Sequence, residues 1–203
     1  MKPTTISFLV SGRGSNFQAV AAAVRDGSVP ATLGIVISDR AGAGALDIAR
    51  QFGMGAFHVD PKAYPGKREY ESAMIELLER HETDLVVAAG FMRILSPHFV
   101  GRYRNRIINI HPALLPSFPG AHGQEQAFAY GVKISGCTAH FIDEGVDSGP
   151  VIMQAAVPVM DDDTVDSLSA RILKEEHRIL PESVRLFCQG RLRVEGRKVF
   201  IKK

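Results

Sequence analysis

Asn109 and His111 stand two residues apart in Arg106-Ile107-Ile108-Asn109-Ile110-His111-Pro112, an apolar stretch that stops at a proline. On a strand this spacing puts both side chains on one face, at the carboxyl end of a run otherwise filled by isoleucine. An amide beside an imidazole suits a carbonyl carbon about to become tetrahedral: one group serves the developing oxyanion and the other the proton. The alternative is a structural His at a strand end, but two buried polar groups side by side are costly unless they have partners. Further along, Phe141-Ile142-Asp143-Glu144-Gly145-Val146-Asp147-Ser148-Gly149-Pro150 forms a turn rich in carboxylates. If Asp147 folds onto His111, its charge is expected to raise the imidazole pKa and hold the ring cationic. Read alone, Asp147 is an ordinary turn residue.

A second constellation is Ser11-Gly12-Arg13-Gly14-Ser15-Asn16, between the first expected strand and the first expected helix. Two glycines let backbone approach an anion, and the helix that follows offers free N–H groups, so a phosphate is a fitting guest. A tight strand-to-helix turn would need the same glycines. A dinucleotide fingerprint wants a third glycine where Phe17 stands, and the Lys and Ser/Thr of a P-loop are missing. Asp39 nevertheless sits where a ribose-binding acid would, which keeps a nicotinamide-binding module as a rival. His111, His122 and His140 share one third of the chain without metal-ligand spacing, so no metal is expected. No Gly-x-Ser-x-Gly elbow occurs. Cys137 as a nucleophile has no supporting context.

These groups need a frame. Apolar runs at 6–10, 32–38, 56–59 and 85–89 alternate with stretches of helical spacing at 16–25, 44–52, 67–80 and 97–103. Such alternation predicts an α/β fold: an open, mostly parallel twisted sheet with helices on both faces. Beyond Pro112 the rhythm changes. Residues 114–120 carry two prolines and a glycine and cannot be regular. A short helix at 124–130, strands at 137–142 and 151–157, a long helix at 164–187 and a hairpin of 191–194 with 199–202 complete the reading. The acidic run at 161–163 suits the N-terminus of the long helix. One domain over 1–203 is expected, with a nucleotide-binding half (1–110) and a half carrying the acidic loop, long helix and hairpin (111–203).

The chain has 203 residues, 45% hydrophobic and 23% charged, with a formal net charge of +2. That balance is ordinary for a globular protein and too weakly basic for nucleic acid as a main partner. The basic cluster at Arg191, Arg193, Arg197, Lys198, Lys202 and Lys203 reads as a solvated edge rather than a binding patch. No stretch is apolar enough to cross a bilayer, the N-terminus does not resemble a signal peptide, and two distant cysteines fit a reducing cytoplasm.

Taken in order, Val10-Ser11-Gly12-Arg13-Gly14-Ser15-Asn16, Gly90-Phe91-Met92-Arg93-Ile94-Leu95-Ser96, Asn109-Ile110-His111-Pro112-Ala113-Leu114-Leu115-Pro116, Phe118-Pro119-Gly120 and Asp147-Ser148-Gly149-Pro150-Val151-Ile152-Met153-Gln154 closely resemble the phosphoribosylglycinamide formyltransferases of purine synthesis. The resemblance runs from the first strand to the long helix near Glu176. It implies formyl transfer from 10-formyltetrahydrofolate, as co-substrate, to the amine of glycinamide ribonucleotide, by direct attack and without a metal. By resemblance, Asn109, His111 and Asp147 are the catalytic group. Gly14, Ser15 and Asn16 hold the ribonucleotide phosphate, with Glu176 at the ribose end. Met92, Arg93, Ile94 and Leu95 line the folate pocket, and residues 141–147, including Phe141, Ile142 and Asp143, wrap the pterin. Lys67, with Arg68 as a close substitute, falls where a basic residue meets the folate glutamate tail. Where many members carry a second His, this chain has Gln124.

Small-molecule substrates, no nucleic acid, no membrane, and a monomer or homodimer follow from the same reading. Formyltetrahydrofolate deformylase shares the Asn, His and Asp groups but usually carries an N-terminal regulatory domain, which the start of strand one near Met1 argues against. Methionyl-tRNA formyltransferase would need a further tRNA-binding domain and more positive charge.

Overall fold

Apolar side chains on both faces of the leading strands are what force this chain into layers. In strand β1 (Thr4–Val10), Ile6, Phe8 and Val10 point to one core and Leu9 to another. Strands β4 (Leu85–Ala88) and β5 (Ile107–His111) divide in the same way: Leu85, Val87, Ile108 and Ile110 go to the first core, Val86 and Ile107 to the second. A sheet buried on both faces needs helices above and below it.

The computed structural model, which describes residues 2–202, supplies them. Helices α1 (Ser15–Arg25), α2 (Gly44–Gln51) and α6 (Val165–Cys188) cover the first core. Helices α3 (Lys67–Arg80) and α4 (Pro97–Arg102) cover the second. With β2 (Ala31–Ser38), β3 (Gly55–His58), β6 (Ile134–Phe141), β7 (Val151–Pro158), β8 (Leu192–Glu195) and β9 (Lys198–Ile201), the strands form one sheet in the order β3-β2-β1-β4-β5-β6-β7-β9-β8. Pairing is parallel from β3 across to β5 and antiparallel for β5–β6, β6–β7 and β8–β9; β7 meets β9 in parallel.

The expected open, mostly parallel sheet with helices on both faces is therefore present. The expected elements differ from the observed ones at their ends: β6 starts three residues earlier than 137, and α5 (Gly123–Tyr130) starts at its glycine. Helix α6 opens with Thr164, whose side chain accepts from the Ser167 N–H while the Ser167 hydroxyl accepts from the Thr164 N–H. Asp163 anchors this end by binding Arg171 through both guanidinium nitrogens, at 2.7 and 2.8 Å.

Two consequences position the site. Strand β5 lies between parallel β4 and antiparallel β6, so its carboxyl end is flanked by the exit of one strand and the body of another. Ile107 and Ile108, essentially without exposure, lock it on both faces; each contributes about 1.5–3 kcal/mol of burial energy.

Candidate active site

The end of β5 carries Asn109 and His111 on one face, and both line the same cavity, of about 310 Å³. Across the strand pair, Asn109 registers with His140 and His111 with Thr138. The His140 ring is buried; its Nδ1 donates to the Phe141 carbonyl at 2.9 Å, so Nε2 is left as an acceptor. The Asn109 amide nitrogen donates to that Nε2 at 3.1 Å. One N–H of the amide is thus spent on orientation, and the other remains for a ligand. Thr138 fixes the chain beyond Pro112: its hydroxyl donates to the Ala113 carbonyl at 2.7 Å and accepts from the Leu115 N–H at 3.0 Å.

Asp147 arrives from the loop joining β6 to β7. Asp143 shapes that loop, its Oδ1 accepting from the Gly145 N–H at 3.1 Å and the Ser148 hydroxyl at 2.6 Å. Gly149 is obligatory, because a Cβ there would lie 1.8 Å from the Phe141 carbonyl oxygen. Asp147 itself has φ 48°, a left-handed conformation unusual for a side-chain-bearing residue and common where geometry serves a site. Its Oδ2 is 3.3 Å from His111 Nδ1 and accepts from the Gly120 N–H at 2.7 Å, and its Oδ1 is 3.6 Å from His140 Nε2. His111 Nε2 donates to the Phe118 carbonyl at 2.8 Å. Both ring nitrogens therefore face oxygen.

The protonation balance corrects one expectation. The carboxylate does fold onto His111, but burial outweighs it. Desolvation pulls the imidazole below its ordinary value of 6.5, and the Asp147 charge and the Phe118 carbonyl only partly restore it. Both ring nitrogens nevertheless face oxygen acceptors, so the surroundings stabilise the ring once it takes up a second proton. For Asp147, burial pushes the carboxyl up, yet the neighbouring His140 and His111 rings when protonated, together with the Gly120 N–H, hold it below 3.8.

Residues 92–95 also line the cavity. The Ser11 N–H donates to the Gly90 carbonyl at 3.1 Å and the Ser11 hydroxyl accepts from the Met92 N–H at 2.9 Å. Leu95 packs into the second core, while Met92 and Ile94, 67% and 61% exposed, stand together on the cavity wall. Ile142, Asp143 and Val146 complete the apolar and acidic rim from the other loop.

Other expected residues lie elsewhere. Phe141 is in the first core, its ring 6.4 Å from Phe187, and does not line the cavity. On a strand it must face away from its neighbour His140. Lys67 opens α3 at the surface, outside the cavity lining. Gly14, Ser15, Asn16 and Glu176 also stand apart from it, but they are together: Gly14 takes φ 85° just before α1, Ser15 is the first residue of that helix, and the Asn16 amide donates to Glu176 at 2.7 Å. A Cβ on Gly14 would meet that of Ala45 at 2.6 Å. Asn16 Oδ1 is buried without a partner, and burial raises the Glu176 carboxyl above 4.5 against the Asn16 hydrogen bond. Cys137 is a core residue, its thiol pushed up to about 12 by burial.

Two cavity residues were missed or undervalued from sequence. His140 orients Asn109. Gln124 lines the cavity with a buried side-chain oxygen that has no partner. An alternation of buried and cavity-facing positions along β6 could have found the first; the second is marked only by resemblance, as the position where many relatives carry a His.

Residues 4–184 match the model of the family described as Formyl transferase. The chain is 41% identical over 189 residues to phosphoribosylglycinamide formyltransferase of Escherichia coli, covering 93% of this chain and 89% of that protein. It is 42% identical over 193 residues, 95% of its length, to the bovine trifunctional purine biosynthetic protein adenosine-3, and it spans only 19% of that protein. The crystal structure of glycinamide ribonucleotide transformylase 1 from Symbiobacterium toebii superposes with a TM-score of 0.97 at 50% identity, covering 99% of this chain and 95% of the other. A formyltetrahydrofolate deformylase from Pseudomonas syringae shares the fold with a TM-score of 0.91 at 26% identity, covering 100% of this chain and 67% of the deformylase. With its matched segment spanning nearly its whole length and full-length relatives well above 30% identity, the chain belongs to the formyl transferase family.

Proposed function

We propose that this chain transfers the formyl group of 10-formyltetrahydrofolate to the amine of phosphoribosylglycinamide, a step of purine synthesis. The observation that carries the proposal is the convergence of Asn109, His111 and Asp147 on a cavity that residues 92–95 also wall. The relatives at 41% and 50% identity bear names of that activity, against 26% for the deformylase.

The residues fit a flat heteroaromatic donor. Exposed Met92 and Ile94 and the nearby Ile142 and Val146 offer apolar faces, and the Asp143 carboxylate stands at the rim. When the amine nitrogen attacks, its bond to the formyl carbon forms, the oxygen becomes anionic and the nitrogen becomes cationic. Asn109 offers its free N–H to that oxygen. The Nε2–H of His111, held at rest by the neutral Phe118 carbonyl, shifts toward the stronger anionic acceptor. The proton shed by the attacking nitrogen is taken up by His111, whose cationic form Asp147 stabilises, and one proton passes from His111 to the departing folate nitrogen as the old carbon–nitrogen bond breaks, which returns the ring to its starting state. No protein nucleophile is needed.

Gly14, Ser15 and Asn16 are assigned to the ribonucleotide phosphate and Glu176 to the ribose, supported by the orphaned Asn16 oxygen and the left-handed Gly14. The test is formation of folate product with and without the amine acceptor. Dependence on the amine is the expected result. Product formed in water alone would make the chain a hydrolase.

A further inference from the structure

Glu71 is a carboxylate placed where carboxylates rarely survive. It sits on α3 beside Tyr70 and on the face of Met74 and Leu78, it is 1% exposed, and among the described residues no Lys or Arg pairs with it. Burying such a group is expensive unless its lone pairs are filled. Each oxygen accepts one bond, and both bonds come from one residue: Oε1 accepts from the Ser96 N–H at 2.8 Å, and Oε2 accepts from the Ser96 hydroxyl. Ser96 precedes α4 and is the residue whose side chain would ordinarily cap that helix, yet it makes no capping bond. Its hydroxyl is committed to Glu71 instead.

Residues 90–96 are tied at one end by Ser11, through Gly90 and Met92, and at the other by Glu71, through Ser96. Between these ties, the Arg93 guanidinium lies over the Tyr70 ring at 5.5 Å, so adjacent residues of α3 hold the middle and the end of the segment. The Met92 and Ile94 side chains are left free along the cavity wall.

We propose that Glu71 is a positioning residue for the formyl donor: by anchoring Ser96 to α3 it sets where residues 92–95 stand and thereby fixes the affinity of the cavity for the folate. The inference rests on the transfer function proposed above. The Glu71–Ser96 bonds are charge-assisted and tie a loop to a rigid element, so their loss allows the wall to drift while the catalytic end of β5 stays in place.

The experiment is titration of purified wild type, Glu71→Ala, Glu71→Gln and Ser96→Ala with a non-reactive formyl-folate analogue and, separately, with phosphoribosylglycinamide. Glu71→Ala is expected to weaken analogue binding about tenfold or more, the loss of two bonds to a charged group, with nucleotide affinity within twofold of wild type. Glu71→Gln, which still accepts from the Ser96 N–H, should recover most of the affinity. Ser96→Ala retains that N–H bond and the fold, and should show a smaller loss of the same kind; it keeps the test open if Glu71→Ala does not fold. Unchanged analogue affinity in folded Glu71→Ala or Ser96→Ala would overturn the inference, as would equal weakening of both ligands. Failure of the wild type itself to bind the analogue would instead sink the transfer function, and this role with it.

Discussion

The Asn109 amide donates to Nε2 of His140 across the β5–β6 pair at 3.1 Å, and that nitrogen is an acceptor only because Nδ1 of the same ring donates to the Phe141 carbonyl. The two residues form a fixed unit: the ring decides which way the amide points. A donor aimed at a developing oxyanion is effective only when its direction is set beforehand.

Replacing His140 by alanine therefore tests orientation without touching Asn109 itself. The amide loses its acceptor and turns freely, and turnover is expected to fall about 100-fold, the scale of a small misplacement at a reacting centre. The loss should lie in kcat, with KM for the nucleotide little changed. Stability should drop by about 1–3 kcal/mol, since the half-buried Asn109 amide and the buried Phe141 carbonyl lose a partner. Undiminished kcat in folded His140→Ala would show that the amide needs no such support.

His111→Ala removes the group that gains a proton during attack. Transfer is expected to fall about 100- to 1,000-fold or more, comparable with loss of an oxyanion donor, while the ribonucleotide, held by the separate Gly14 loop, binds with near-native affinity. Calorimetry and a single-turnover assay on the same preparation separate the two effects. Unaltered turnover would remove His111 from the chemistry.

The two halves of this site differ in how far they were legible in the sequence. Asn109 and His111 stand out, because a period of two on an isoleucine strand places two polar side chains on one face at its carboxyl end. The strand–helix alternation up to residue 103 was legible for the same reason, and α6 runs through Pro181 as its apolar spacing required. What could not be read depends on contacts between distant segments. The Glu71–Ser96 tie and the pairing of Asn109 with His140 are set by packing and register, not by local pattern. The direction of the His111 shift differs from the expectation because sequence supplies the approaching carboxylate but not the depth of burial. Phe141 was misassigned by taking a loop resemblance whole: period two already forbids it and His140 from facing one cavity.

That balance makes a pH prediction with a definite sign. His111 is lowered from 6.5 by burial, with Asp147 pulling the other way. Asp147→Asn deletes the upward pull, so the imidazole pKa falls further, and the acidic limb of the pH–rate profile should move to lower pH along with a loss in rate. An unmoved limb would deny the coupling. Stability follows the linkage. The Asp147 carboxyl is lowered below 3.8 in the folded state, so its contribution is whole above that value and is lost as pH falls through the lower folded value; Asp147→Asn should erase that part of the acid transition. His111 adds a loss of its own starting below 6.5, where only the unfolded chain takes up the proton.

Gly14 tests the nucleotide loop independently of the cavity. It holds φ 85°, and a Cβ would press on Ala45 at 2.6 Å, so Gly14→Ala must shift the start of α1. The strained conformation alone costs about 1–3 kcal/mol, visible in thermal unfolding. The functional consequence should be a raised KM for the ribonucleotide with the folate analogue bound normally. Equal weakening of both ligands would mean that the loop serves the fold rather than the phosphate.

Glu176 separates function from stability in the opposite direction. Its carboxyl is raised above 4.5 because burial disfavours the charge more than Asn16 favours it. The sign is that of a group destabilising when ionised: the cost is absent below 4.5, grows as pH rises toward the folded value, and is complete above it. Glu176→Gln removes the charge while keeping the shape, so it should raise the unfolding midpoint at pH 7 and leave it unchanged at pH 4. If the carboxylate takes ribose hydroxyl donors, the same substitution must weaken ribonucleotide binding. A variant that is both more stable and weaker for the nucleotide would identify a charge retained for the ligand at the expense of the fold; a more stable variant with native affinity would remove Glu176 from the nucleotide site.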